Sequence, residues 1–361
     1  MINPTTTAET THVMQLPRKV IIGERILNNT SHFIKENTKI NSKIALITGE
    51  NVKSKIIDTI EDNFVANHIE FQWVIAGDAS FESVGKIEKE LKQDKIEIII
   101  GIGGGRCIDI GKMAANNLKK PFISIPTSAS HDGISSPFVS LRGNNKPYSI
   151  KVETPIEIIA DLHIISNAPG KLIASGCGDL IAKITAVKDW EIARDDTGEY
   201  FGEYAANLSS LSAKMMLDIS KQIVNGQIDK KISRTIVEGL ISSGVAAGIA
   251  GSSRPCSGSE HLFSHALEYI SNGRCGLHGE RVGIGTIIMA KLHELNWVEI
   301  KNALKIIGAP TTAKEIGVDK DEIIKAFVLA KKIRPERYTI LNKIDLNKNQ
   351  IQDLIEEVGI T

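Results

Sequence analysis

His261 and His265 stand four positions apart in RPCSGSEHLFSHALEYI, residues 254 to 270, where apolar residues recur at helical spacing. Positions i and i+4 of a helix share one face, so both imidazoles are expected to reach the same small volume, to hold one metal ion together or to take separate tasks. LHGERVGIG adds His278, thirteen residues beyond His265, at a glycine-rich helix start. SGCGDLIAKITAVKDWE sets Asp179 between glycines and an apolar helix. Taken alone, that residue is most simply a helix N-cap. One Asp with two His side chains makes a nitrogen and oxygen set that suits zinc and leaves a fourth position for water or substrate, the arrangement of a catalytic metal. Cys256, His261, Cys275 and His278 form a competing set that would close the coordination sphere around a structural ion. Removing both thiols separates the two, because only the closed site would lose its metal.

Two further stretches carry chemistry. GIGGGRCIDIGKMAAN, residues 101 to 116, follows an apolar strand and opens into a helix. Glycines in such a turn let backbone amides approach a pyrophosphate at the helix N-terminus, although the spacing is not G-x-G-x-x-G and a merely tight turn has the same composition. Asp109, one turn into that helix, is structural or a cofactor-side acceptor. IPTSASHDGISSP, residues 125 to 137, places hydroxyls and Asp132 at the end of another strand, where open α/β sheets bind ligands. Its bland alternative is a polar surface loop.

These residues need a scaffold. KIALITGE, FQWVIAG, KIEIIIGIGGG and PFISIPTSAS are short apolar runs, each ending in small residues and several followed by a helical pattern. That alternation predicts a parallel, doubly wound sheet. Gly143-Asn144-Asn145 suggests a hairpin, and EIIADLHII, 157 to 165, one more strand. After Asn167-Ala168-Pro169-Gly170 the apolar spacing turns helical and strand signals nearly vanish. The expected fold class is an α/β Rossmann-like N-terminal domain, residues 1–166, followed by an all-α metal-binding domain, residues 167–361.

The 361 residues carry 43 basic and 43 acidic side chains, a balance that excludes a polyanion partner such as nucleic acid. MINPTTTAETTH lacks the basic start and apolar core of a signal peptide, and no apolar run approaches the roughly 20 residues of a membrane span. A soluble, cytoplasmic protein is expected. The four cysteines, at 107, 177, 256 and 275, form no C-x-x-C pair and read as small buried residues.

Taken together, GIGGGRCID, PTSASHDGISSP, SGCGDLIAKITAVKDWEIA, SRPCSGSEHLFSHALE, LHGERVGIGT and IRPERYTIL resemble the archaeal sn-glycerol-1-phosphate dehydrogenases. These belong with iron-type alcohol dehydrogenases, glycerol dehydrogenases and dehydroquinate synthases, and the likeness runs in order from about Leu16 to Leu341. The resemblance implies NADH- or NADPH-dependent reduction of dihydroxyacetone phosphate to sn-glycerol 1-phosphate for ether-lipid backbones, with one zinc ion as Lewis acid. It implies cofactor contacts at Gly103, Gly104, Gly105, Arg106 and Cys107, completed by Thr127, Ser128, Ala129, Ser130 and Ser136. Zinc would lie on Asp179, His261 and His278. Asp132, Asp179 and His265 would face the substrate, His265 without binding the ion. Cys107 departs from the aliphatic residue expected after Gly-Gly-Gly-Arg.

Candidates for the substrate phosphate are Arg254, Lys146, Arg142 and the helix start at Ser257 to Ser259. Glu50, beside Gly49 and Asn51 after the first apolar run, could accept from a cofactor ribose and repel a 2′-phosphate, yet the family implies use of both cofactors. A homo-oligomer is implied as well. The rivals are a dehydrogenase for an unphosphorylated polyol, a dehydroquinate synthase, and a non-catalytic zinc- or nucleotide-binding regulator.

Overall fold

The computed structural model describes residues 12–37, 43–92, 94–143, 146–223 and 228–361, with the side chains of Glu36 and of residues 146–148 left undescribed. Most of the N-terminal stretch on which the absence of a signal peptide was argued therefore lies outside the described residues, as do Asn144 and Asn145.

Six strands form one parallel sheet: β1 (Lys19–Gly23), β2 (Lys43–Thr48), β3 (Glu70–Ile75), β4 (Ile96–Gly103), β5 (Phe122–Pro126) and β8 (Glu157–Asp161), in the order β1-β8-β5-β4-β2-β3. The central strands are near-continuous runs of isoleucine because helices cover both faces of the sheet. Ile98, Ile100 and Ile102 of β4 pack on one side with Phe64 of the helix Glu50–Ala66, while Ile99 packs on the other with Ile108 and Ala115 of the helix Gly105–Leu118. The edge strand β1 was not expected from the sequence. Its five residues KVIIG follow Pro17 and Arg18 and pair with β8 alone.

Between β5 and β8 the chain makes an antiparallel hairpin, β6 (Phe138–Gly143) with β7 (Lys146–Lys151), in which Gly143 faces Lys146 across the undescribed turn. The expected strand over EIIADLHII ends early. Asp161 accepts from the N–H groups of His163 and Ile164 and so starts a short helix, Leu162–Ser166, in place of the last strand residues.

Every named strand precedes residue 162, and the rest of the described chain is helical. One apolar core runs through this part, uniting Leu180, Leu240, Leu262, Phe263, Ile284 and Ile287 from helices Gly170–Ile181, Lys230–Ala250, Ser259–Ile270 and His278–Leu292. It also reaches Ala129 and Ile158 on the sheet side. Among the described residues no helix is long and apolar enough to cross a membrane.

Candidate functional site

The carboxyl ends of β4 and β5 open on a cavity of about 820 Å³ whose other wall is made by the helical part. At the end of β4, Gly103 has φ of 150°, which favours glycine, and its carbonyl accepts from Thr127 N–H at 3.0 Å, binding the two strand ends together. Gly104 precedes the helix and its carbonyl accepts from Cys107 N–H, so Gly104, Gly105, Arg106 and Cys107 line the cavity at a helix N-terminus, where the peptide dipoles favour negative charge. The Cys107 thiol fits against Gly49 and Gly103, where burial pushes its pKa up. A side chain at Gly104 would touch the Ser128 hydroxyl, which is buried without a hydrogen-bond partner.

Ser130, Asp132 and Ser136 line the same cavity, whereas Thr127, Ser128 and Ala129 are not among its lining residues. Ala129 instead packs on Gly176: its carbonyl comes so close that a Cβ there would lie 2.0 Å away. The same requirement operates where Gly178 meets Gly279. Small residues in SGCGD thus let one helix touch both the β5 loop and the turn that carries His278. Asp179 lies near the end of this Gly170–Ile181 helix, inside it and not at its N-cap.

Three ligating atoms, one each from Asp179, His261 and His278, lie within 4.8 Å of one another. His261 Nε2 is 3.5 Å from Asp179 Oδ1, close to the roughly 3.4 Å that separates tetrahedral donors on an ion bound at about 2.1 Å. The other ring nitrogen, Nδ1, is 2.8 Å from Glu260 Oε1. Once Nδ1–H donates to Glu260, the Nε2 lone pair faces the Asp179 carboxylate, two electron-rich groups that a cation between them would reconcile. Glu260 is itself held by Gly258 N–H and the Thr185 hydroxyl. Burial opposes a charge on His261, but Asp179 and Glu260 outweigh it and raise the pKa. Burial also acts against the Asp179 carboxylate, and Lys183 with His261 overcomes it to hold the pKa well below the usual range.

Lys183, one turn beyond Asp179, is fully buried. Its Nζ is 2.7 Å from Asp179 Oδ1 and 2.8 Å from Asp132 Oδ2, while Asp132 N–H donates to Asp179 Oδ2 at 2.9 Å. Asp132 and Asp179 therefore set two carboxylates against a single ammonium, with Glu260 behind His261 as a third, a donor chemistry that fits a divalent ion.

His261 and His265 both face the cavity from the helix Ser259–Ile270, as the i, i+4 spacing predicts. Their surroundings differ. His265 Nδ1 has no partner, and burial, together with His261 and Arg281, lowers its pKa to about 3. The closed cysteine set does not assemble. Cys256 Sγ donates to the Ser243 carbonyl, Cys275 Sγ accepts from the Ser271 hydroxyl, and no second cluster of possible ligands occurs among the described residues.

Asp109 is structural as well as cavity-lining, its Oδ2 accepting from Ser140 N–H at 2.9 Å. Lys112, a turn further on, donates to the carbonyls of Gly133, Ser136 and Phe138 and pins the Asp132 loop to this helix. Neither Lys112 nor Lys183 is singled out by the sequence, because a lysine on an amphipathic helix ordinarily belongs to the solvated face. His131 is a further cavity residue, its ring lying over Gly105.

Comparison with known proteins adds to this geometry. Residues 21–169 match the family described as iron-containing alcohol dehydrogenase. The chain is 47% identical over 349 residues to the glycerol-1-phosphate dehydrogenase (NAD(P)+) of Nitrosopumilus maritimus, covering 97% of each protein. It is 44% identical to the enzyme of that name from Pyrococcus horikoshii, over 97% of this chain and 99% of the other. Among solved structures, glycerol dehydrogenase from Schizosaccharomyces pombe superposes with a TM-score of 0.77 at 20% identity, covering 96% of this chain and 90% of that one, which shows a shared fold.

Proposed function

The chain belongs to the glycerol-1-phosphate dehydrogenases, and from that premise we propose that it uses NADH or NADPH to reduce dihydroxyacetone phosphate to sn-glycerol 1-phosphate, the backbone of archaeal-type ether lipids. The observation that carries the proposal is the meeting of Asp132, His261, His265 and His278 with Gly104, Gly105 and Arg106 around one cavity. An enzyme that passes hydride from a dinucleotide to a metal-activated ketone requires these two half-sites side by side.

In this proposal Asp179, His261 and His278 hold a zinc ion, and residues 1–166 and 167–361 act as the cofactor-binding and the metal- and substrate-binding domains. Gly103, Gly104, Gly105, Arg106 and Cys107 cradle the dinucleotide phosphates, with Thr127, Ser128, Ala129, Ser130 and Ser136 completing the nucleotide site. The bound ion supplies Lewis acidity at the ketone and the nicotinamide supplies hydride. The chain's own residues do the remainder. Asp132, fixed by Lys183, accepts from a substrate hydroxyl and orients the ketone. Asp179, Glu260 and His261 keep the donor atoms turned inward. His265, held neutral by burial, offers a ring nitrogen without a protein partner that hydrogen-bonds a water or substrate hydroxyl and orients it beside the ketone oxygen, the proton taken up by the alkoxide coming from water.

Both cofactors are accepted in this scheme. Glu50 lies on the cavity rim and repels a 2′-phosphate, while Arg106, whose guanidinium reaches Gly49, attracts it. The assembly is proposed to be a homo-oligomer, which sedimentation measures.

The test follows loss of NADH and of NADPH with dihydroxyacetone phosphate, with dihydroxyacetone and with no ketone, and then determines the product enantiomer. The proposal expects turnover with the phosphorylated ketone and sn-glycerol 1-phosphate as product. Turnover with dihydroxyacetone alone would favour a polyol dehydrogenase, and none with either ketone would favour a binding protein.

A further inference from the structure

The phosphate of the substrate requires a positive partner, and the groups that the sequence offers for it are already committed. Arg254 pairs through two nitrogens with Glu199 and donates Nη1 to the Tyr338 carbonyl. Arg142 pairs with Glu268 and has a mostly exposed side chain. The helix start is closed too: Gly258 N–H donates to Glu260 and Ser259 N–H to Asp189, at 2.7 and 2.6 Å. The Lys146 side chain lies outside the described residues.

Arg337, from IRPERYTIL, is different. It is 8% exposed, and two of its five N–H donors are used inside the protein, Nη1 on the Ser257 carbonyl and Nη2 on the Ser253 hydroxyl at 2.8 Å. No carboxylate forms an ion pair with it among the described residues. Burial, with Arg334 and Arg254 nearby, lowers its pKa to about 9. Glu199 and Glu260 act on it only from a distance, and a guanidinium withdrawn from water without a directly paired carboxylate is costly, a cost relieved when an anion arrives. Both of its partners, Ser253 and Ser257, line the cavity together with His261 and His265. Arg337 is not itself among the lining residues and meets the cavity through these two serines, its Nη1 and Nη2 holding the Ser257 carbonyl and the Ser253 hydroxyl.

We infer that Arg337, with the hydroxyls of Ser253 and Ser257, forms the subsite that holds the phosphate monoester of the substrate and so separates phosphorylated from unphosphorylated ketones. The inference rests on the proposed reduction of dihydroxyacetone phosphate. Planar, multiple donation to phosphate oxygens is what a guanidinium does better than an ammonium, which predicts that lysine replaces it poorly.

The experiment compares wild type with Arg337→Met, Arg337→Lys and Ser253→Ala in NADH oxidation with dihydroxyacetone phosphate and with dihydroxyacetone, and measures inhibition by inorganic phosphate. Arg337→Met should raise KM for the phosphorylated ketone about 100-fold, as expected for loss of a charge-assisted pair, with kcat changed only a few-fold. Efficiency with dihydroxyacetone should stay within about twofold, and inhibition by phosphate should weaken in parallel with the KM. Arg337→Lys should recover only part of the loss, and Ser253→Ala, which keeps the packing, should raise the same KM by about tenfold. Equal losses with both ketones, or unchanged phosphate inhibition, would overturn the assignment. If Arg337→Met does not fold, Arg337→Lys and Ser253→Ala decide by the same two readouts. A wild-type enzyme inactive on dihydroxyacetone phosphate would instead defeat the underlying function, so the two failures are distinguishable.

Discussion

Nζ of Lys183 lies 2.7 Å from Oδ1 of Asp179, one helical turn away, with both side chains buried. The same ammonium reaches Asp132, so one cation positions a proposed metal ligand and a proposed substrate acceptor. Breaking such a buried network from one side leaves uncompensated charge. Lys183→Met is therefore expected to destabilise the metal-free protein by about 3–5 kcal/mol. A divalent ion should restore a larger share of stability in the variant than in wild type, since it meets more uncancelled negative charge. Denaturant unfolding with and without chelator measures both.

Glu260 acts on the ion through His261. Its carboxylate fixes Nδ1 at 2.8 Å and leaves Nε2 facing Asp179. Glu260→Gln keeps the shape and removes the charge, and should weaken metal affinity by about 10-fold, at the lower end of such effects. Competition against a calibrated chelator gives the ratio.

His265 occupies the same helix face as His261 but has no share in the ligating trio. His265→Ala should lower kcat by about 100-fold while metal content stays at the wild-type level. Loss of metal in proportion to activity would make it a ligand and not a substrate-facing group.

Burial holds His265 neutral to about pH 3, whereas in an unfolded chain it takes up a proton near 6.5. Between those values the unfolded state binds the extra proton. The stability associated with this site is thus complete above about pH 6.5 and is lost as the pH falls from there towards 3. Unfolding of the metal-free protein should show a weaker dependence on pH between 5 and 7 in His265→Asn than in wild type. His278, pushed down in the same direction chiefly by burial, adds to the wild-type slope in both proteins.

The sheet was legible where β2, β4 and β5 are apolar runs closed by Gly49, Gly104 and Thr127, because a strand buried on both faces leaves a compositional trace. The edge strand β1 leaves much less of one, being short and half-exposed. Among the site residues, the i, i+4 histidines announced a shared face, but spacing could not tell that Glu260 would orient one of them while the other kept a free nitrogen. Asp179 read alone as a cap because glycines precede it and an apolar helical run follows. Those glycines serve close helix packing instead, as the approach of Ala129 and Gly279 makes plain. Lys183, Lys112 and Arg337 were hidden for a common reason: a cation's role depends on which carboxylates and carbonyls the fold brings to it, and those come from distant segments.

The most direct test of the account is a titration of chelator-treated protein with zinc, following oxidation of NADH by dihydroxyacetone phosphate. Activity should be absent at the start and return to its full value at one equivalent of zinc per chain. Full turnover in the thoroughly metal-free protein would contradict the central claim.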